Sequence, residues 1–109
     1  MHELAITQSV VDAVLAKTGD RLVTTVRVKV GRLAGVVPDA MRFCFDLVTA
    51  GTTLEGAELE IDQPPGEAHC RACGDDFRLT DLILLCPCGS ADVQVTTGRE
   101  LLVSSVEVV

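Results

Sequence analysis

The sequence predicts an α+β fold: two helices packed on a three-stranded sheet, with an inserted zinc-ribbon-like module. Three observations carry this. Two stretches repeat their apolar residues at helical spacing, two alternate at period two, and a last one is rich in valine and leucine. A cysteine-bearing segment is then set off by the break Pro64-Pro65-Gly66. The expected division is an α/β domain over 1–63 plus 99–109 and a metal-binding module over 64–98.

The first helix is expected over 2–17. Leu4, Val11, Val14 and Leu15 form its apolar stripe, and Ile6 and Val10 widen it. Glu3 suits the positive end of the helix dipole, Lys17 the negative end, and Gly19 offers a stop. Met1, His2 and Glu3 are thus the head of the helix.

Residues 22–30 switch to period two, with Val26, Val28 and Val30 on one side and Arg27 and Lys29 on the other. A second helix opens near Pro38, a residue suited to the first turn, with Asp39 behind it. Met41, Cys44, Phe45 and Val48 make its core stripe, which reads Cys44 as a small buried hydrophobe; Gly51 ends it. In 57–63, Leu59 and Ile61 turn inward while Glu58, Glu60 and Asp62 turn out. Beside the first strand, those acids would face Arg27 and Lys29. A short strand over 91–97, a turn at Gly98 and a final strand over 100–109, returning to the first sheet, complete the chain.

Composition narrows the function classes. The core must be aliphatic, because the chain has no Trp or Tyr. A net charge of −7 argues against nucleic acid, which zinc ribbons commonly bind through basic patches. No apolar run of about 20 residues is present to span a membrane. The free thiols and the lack of a hydrophobic leader point to the cytoplasm.

The chemistry concentrates in Cys70-Arg71-Ala72-Cys73 and Cys86-Pro87-Cys88-Gly89. Two thiol pairs on tight turns, joined by the loop 74–85, are the layout of a tetrahedral four-sulfur zinc site. Gly74 and Gly89 directly after the pairs allow positive φ beside the metal. A disulfide framework fits poorly with five cysteines, one of them the distant Cys44. A thioredoxin-like pair leaves the second knuckle unexplained. Rubredoxin-like iron is a third reading, opposed by the shortened C-x-C knuckle. His69, next to Cys70, is the substitute ligand should Cys86 or Cys88 drop out. The segment 64–98 is too short and polar for a core of its own, so the metal reads as a staple. Four thiolates also leave no open position for a substrate.

No Ser-His-Asp set, phosphate loop or H-E-x-x-H motif is present. His2 offers different chemistry. The Met1 amine, the His2 amide nitrogen and the His2 imidazole form adjacent chelate rings, an all-nitrogen set suited to Ni(II) or Cu(II). An ordinary polar N-terminal histidine is the competing reading.

The opening Met1-His2-Glu3, the strand end Val28-Lys29-Val30-Gly31, the helix segment Phe43-Cys44-Phe45-Asp46 and the knuckles at Cys70/Cys73 and Cys86/Cys88 with Gly89-Ser90 resemble the HypA/HybF family. These are nickel metallochaperones of [NiFe]-hydrogenase maturation. The resemblance runs along the whole chain. It implies a nickel site at Met1, His2 and Glu3, which assigns 1–63 plus 99–109 to nickel and 64–98 to a structural zinc on Cys70, Cys73, Cys86 and Cys88. The family's second knuckle is usually C-P-x-C-G, one residue longer than here. Some members add a further nickel ligand, for which Asp39 is the candidate. The resemblance also implies the GTPase HypB and the hydrogenase large subunit as partners, a monomer or weak homodimer, and no catalysed reaction. A zinc-ribbon adaptor without nickel transfer is the alternative function.

Overall fold

The computed structural model describes residues 2–109. Its elements run α1 (Glu3–Thr18), β1 (Val23–Val30), α2 (Pro38–Thr49), β2 (Glu58–Asp62), β3 (Gly66–Cys70), β4 (Asp76–Leu79), β5 (Val93–Thr97) and β6 (Leu101–Val108). The fold is α+β, with two helices and two three-stranded sheets, ordered β2-β1-β6 and β4-β3-β5. Two compact units result, one of residues 1–29, 35–62 and 102–109, the other of 30–34 and 63–101.

In the first unit, β1, α2 and β2 form a βαβ crossover. The strands are parallel, so the chain needs α2 to return to the same end. Arg27 stands opposite Glu60 and Lys29 opposite Asp62, as the outward acids suggested. Thr24 bonds to Glu107 and Arg27 to Ser104, contacts that run in opposite chain directions and make β6 antiparallel to β1. Helices α1 and α2 pack on each other. Val11, Val14, Val26, Val28, Met41, Phe45 and Leu54 are each at most 2% exposed and form an aliphatic core around one phenylalanine.

Both helical stripes differ from expectation. In α1 the buried line is Thr7, Val11 and Val14, while Leu4 is 57% exposed. Thr7 can be buried because its hydroxyl donates to the Glu3 carbonyl one turn earlier. In α2, Thr49 joins Met41 and Phe45 in the core, its hydroxyl donating to the Phe45 carbonyl at 2.7 Å. Cys44, expected inside, is half-buried, as is Val48.

The second unit carries more strand than its polar sequence suggested. β3 is central, antiparallel to both β4 and β5. Residues 30–34 belong here: the amides of Gly31, Arg32 and Leu33 donate to the carbonyls of Glu100, Pro64 and Gly98. Three glycines meet at that point. A Cβ on Gly31 would collide with the Gly98 carbonyl, and one on Gly98 would lie 2.6 Å from the Gly66 Cα. Only hydrogen atoms fit between these backbones.

Candidate metal centres

The two cysteine knuckles converge. The sulfurs of Cys70, Cys73, Cys86 and Cys88 all lie within 4.8 Å of one another. The closest pairs are Cys70 with Cys88 and Cys73 with Cys86, both 3.7 Å apart. Zinc–sulfur bonds of about 2.3 Å in a tetrahedron place the sulfurs about 3.8 Å from each other. The spacing and the all-thiol donor set therefore fit a metal of that size and softness.

Local backbone explains the convergence. Cys70 ends β3, and the amide of Gly74 folds back to its carbonyl at 2.9 Å. The amide of Gly89 returns to the Cys86 carbonyl at 2.8 Å in the same way. Gly74 and Gly89 take φ of 82° and 95°, left-handed values that favour glycine. The shortened knuckle still closes, because the Cys88 amide donates to the Cys86 sulfur at 3.4 Å and the Cys86 amide to the Ser90 carbonyl at 2.9 Å. The turn loses a residue without losing its amide–sulfur bond. Cys70 and Cys86 are buried; Cys73 and Cys88 are exposed.

Without a metal the four thiols cannot ionise alike. The Cys73 amide, bonded to the Cys70 sulfur, brings Cys70 down to about 6. Cys86 receives a similar bond from Cys88, yet burial and the surrounding sulfurs of Cys88, Cys73 and Cys70 push it up to about 12. Cys73 is raised too: the Asp75 amide favours its thiolate, but the adjoining Cys70 sulfur and burial outweigh it. A divalent cation at the centre of the four sulfurs cancels this repulsion.

His69 lies outside the cluster. It precedes Cys70 on β3, so its side chain leaves from the opposite face, and its Nδ1 meets Asp76 Oδ1 at 2.7 Å across the β3–β4 pair. Sequence reasoning missed the ion pair of Arg71 with Asp92, 3.0 Å long, reinforced by the Arg71 amide donating to the Asp92 carbonyl. It ties the first knuckle to the segment that follows the second. Nothing in the spacing of these residues signals the pairing.

At the head of α1, His2 is the N-cap residue, and its carbonyl accepts the Ile6 amide at 3.0 Å. Its ring makes no capping bond and is exposed. The Glu3 carboxylate accepts the Val37 amide at 3.0 Å, which fixes the segment before α2 against the start of α1. His2 and Glu3 line an open groove of about 460 Å³ with Leu4, Ala5, Ala40, Phe43 and Cys44. Met1, the third expected ligand, lies outside the described residues. Asp39 is exposed in the first turn of α2 and is not among the lining residues.

A small α+β protein with a four-thiol knuckle and a histidine at its head is built to handle metal ions. The chain belongs to the HypA family: residues 1–108 match the family described as hydrogenase/urease nickel incorporation, metallochaperone. It is 45% identical over 109 residues to the hydrogenase maturation factor HypA of Geobacter metallireducens, covering 99% of both chains. To that of Nostoc sp. it is 44% identical, covering 99% of this chain and 96% of the other. The solution structure of the nickel metallochaperone HypA from Helicobacter pylori shares the fold, with a TM-score of 0.67 at 22% identity over 99% of this chain and 97% of that one. Among the described residues no helix is long and apolar enough to cross a membrane.

Proposed function

We propose that this protein carries Ni(II) as cargo during [NiFe]-hydrogenase maturation in the cytoplasm, and that its four-cysteine centre holds a structural zinc through Cys70, Cys73, Cys86 and Cys88. Nickel is bound by the Met1 amine, the His2 backbone nitrogen and the His2 imidazole, with Glu3 beside them as ligand or orienting group. The partners are the GTPase HypB and the hydrogenase large subunit, and the protein itself catalyses no reaction. Family membership supports the nickel role. The single observation that carries the site is the exposed His2 ring, uncommitted to capping, at the very head of α1.

Calorimetric nickel titration of the untagged, N-terminally extended and His2→Ala proteins tests this. His2→Ala should abolish binding while fold and cysteine-bound metal persist, because residue 2 lies outside the core. Extension should weaken binding by turning the terminal amine into an amide. Affinity should fall as the solution is acidified, because protons compete with the metal for nitrogen ligands. Equal affinity in all three proteins would leave a zinc-ribbon adaptor as the better reading.

A further inference from the structure

Arg32 and Arg78 line one groove of the second unit. Both are exposed, and among the described residues neither guanidinium makes an ion pair or a hydrogen bond. The chain has 16 acids against 9 bases, yet none of those acids neutralises this pair. Glu67 stands opposite Arg78 across the β3–β4 pair but takes the Thr97 hydroxyl at 3.3 Å instead. Asp81, the one acid on the lining, accepts the Ile83 amide at 2.9 Å and shapes the turn after β4. Elsewhere in the same unit Arg71 does meet its acid, Asp92, at 3.0 Å.

The groove holds about 310 Å³, the small end of the range for ligand sites. Between the two cations its lining is apolar. Leu79 is buried, Leu33 and Pro65 are half-buried, and Leu82 is 71% exposed. Ile83 follows at 67% exposed, which extends the apolar surface beyond the groove. One wall is fixed by its backbone, because the Arg32 amide donates to the Pro64 carbonyl at 3.0 Å and the Leu33 amide to the Gly98 carbonyl at 2.7 Å. The Leu33 side chain is seated against Gly66, where an added Cβ would come within 2.8 Å of it. A wall held in this way loses little freedom when the groove is filled.

We propose that this groove docks a short acidic segment of a partner protein, with a carboxylate held by Arg32 and Arg78 and a neighbouring leucine-sized side chain laid on Leu33, Leu79 and Leu82. A guanidinium is planar and offers paired donors that match a carboxylate. The apolar side chain supplies the burial that an exposed ion pair alone lacks. Charge complementarity selects this occupant. A basic segment would leave both cations opposed, and a purely apolar one would cover them without a partner. An extended anionic surface is a poorer match, because the chain as a whole carries a net charge of −7. A short segment meets only the local positive charge, within a screening length of about 8 Å at physiological salt. The inference is independent of the nickel reading, whose residue His2 lies in the other unit.

An amide NMR titration of the intact, metal-loaded protein with the end-blocked peptide acetyl-Gly-Asp-Leu-Glu-Gly-amide is the test. The amides of Leu33 and of residues 79–82 should shift saturably. Two control peptides need no variant: Lys in place of both acids should abolish the shifts, and Ser in place of Leu should weaken binding about tenfold. Arg32→Gln and Arg78→Gln should each weaken binding of the acidic peptide about tenfold, the equivalent of one charge-assisted hydrogen bond. Leu82→Ser should also weaken it, and all three variants should keep their metal, because these side chains are exposed. If an arginine variant loses its metal, the control peptides and Leu82→Ser decide. No saturable shift at these amides, or equal binding of the acidic and basic peptides, overturns the proposal. So does binding indifferent to both arginines in folded variants. Co-sedimentation with phosphatidylcholine–phosphatidylglycerol vesicles provides the remaining arm. Vesicle binding that needs Arg32 and Arg78, without a peptide shift, overturns the peptide occupant in favour of a lipid surface.

Discussion

The two units are held together by different means. The first packs Val11, Val14, Val26, Val28, Met41, Phe45 and Leu54 out of water and carries its two helices on that core. In the second, the buried hydrophobic residues are Val30, Ala68, Leu79 and two of the four cysteines, Cys70 and Cys86. Full burial of an aliphatic side chain contributes about 1.5–3 kcal/mol, so the first unit has several such contributions and the second very few. A structural zinc bound by thiolates supplies about 10–16 kcal/mol near neutral pH. On the proposed zinc assignment, one unit is stable through many small contacts and the other through a single centre. Perturbations should separate them.

The largest effect is expected at the knuckles. Replacing Cys70 or Cys86 by Ser should release the metal and disorder residues 63–101, while amide exchange in α1, α2 and β1 stays slow. Acid should do the same. In the metal-free cluster Cys70, held near 6 against an ordinary value of 9.0, favours the fold fully above about 9. That contribution declines as pH falls and is gone below about 6. Protons also displace metal from the other thiolates. Metal content and hydrogen exchange read together check the prediction. Four Ser variants that kept both metal and order would refute the assignment of these ligands.

The reverse experiment removes core from the first unit. Phe45 is 1% exposed, and Phe45→Ala should cost about 3–5 kcal/mol by lost transfer energy and the cavity left behind. Urea unfolding followed at the helices should show this loss, with metal content unchanged. Loss of metal in this variant would mean that the units are not energetically separate.

The same contrast explains what the sequence made legible. In the first unit, apolar periodicity and burial go together in β1 and β2, which can be read directly, whereas β6, none of whose residues is buried, is legible from its valine and leucine content. The parallel partner of β1 was foreshadowed by charge, with Glu60 and Asp62 matching Arg27 and Lys29. The errors there come from hydroxyls. Thr7 and Thr49 satisfy their oxygens on the carbonyl one turn back and enter the core, while Leu4 and Cys44 lie further out than hydropathy implies. In the second unit the cysteine spacing was readable because metal geometry dictates it. Strands β3 and β4 were not, because Gly-Glu-Ala-His-Cys and Asp-Phe-Arg-Leu alternate over only five and four residues, and the buried positions of β3 are the small Gly66, Ala68 and Cys70. The approach of Gly31, Gly66 and Gly98 joins residues far apart in sequence, and no local pattern announces it.

The smallest effect should come from the most visible polar feature of the first sheet. Arg27 Nε lies 2.9 Å from Glu60, and its Nη2 lies 3.3 Å from Glu107, which links all three strands. The guanidinium is 36% exposed and its partners 46% and 57%, so water screens both pairs. Pairs of this kind contribute about 0.2–1 kcal/mol each. Arg27→Ala should therefore lower the stability of the first unit by about 1 kcal/mol and leave metal content untouched. Half of that loss or more should vanish in 1 M salt, where the screening length is about 3 Å. Urea titrations at low and high salt measure both numbers. A loss above about 2 kcal/mol that persisted in salt would locate the contribution in the packed aliphatic stem of Arg27, and the first unit would then owe its stability to apolar contact even at its charged surface.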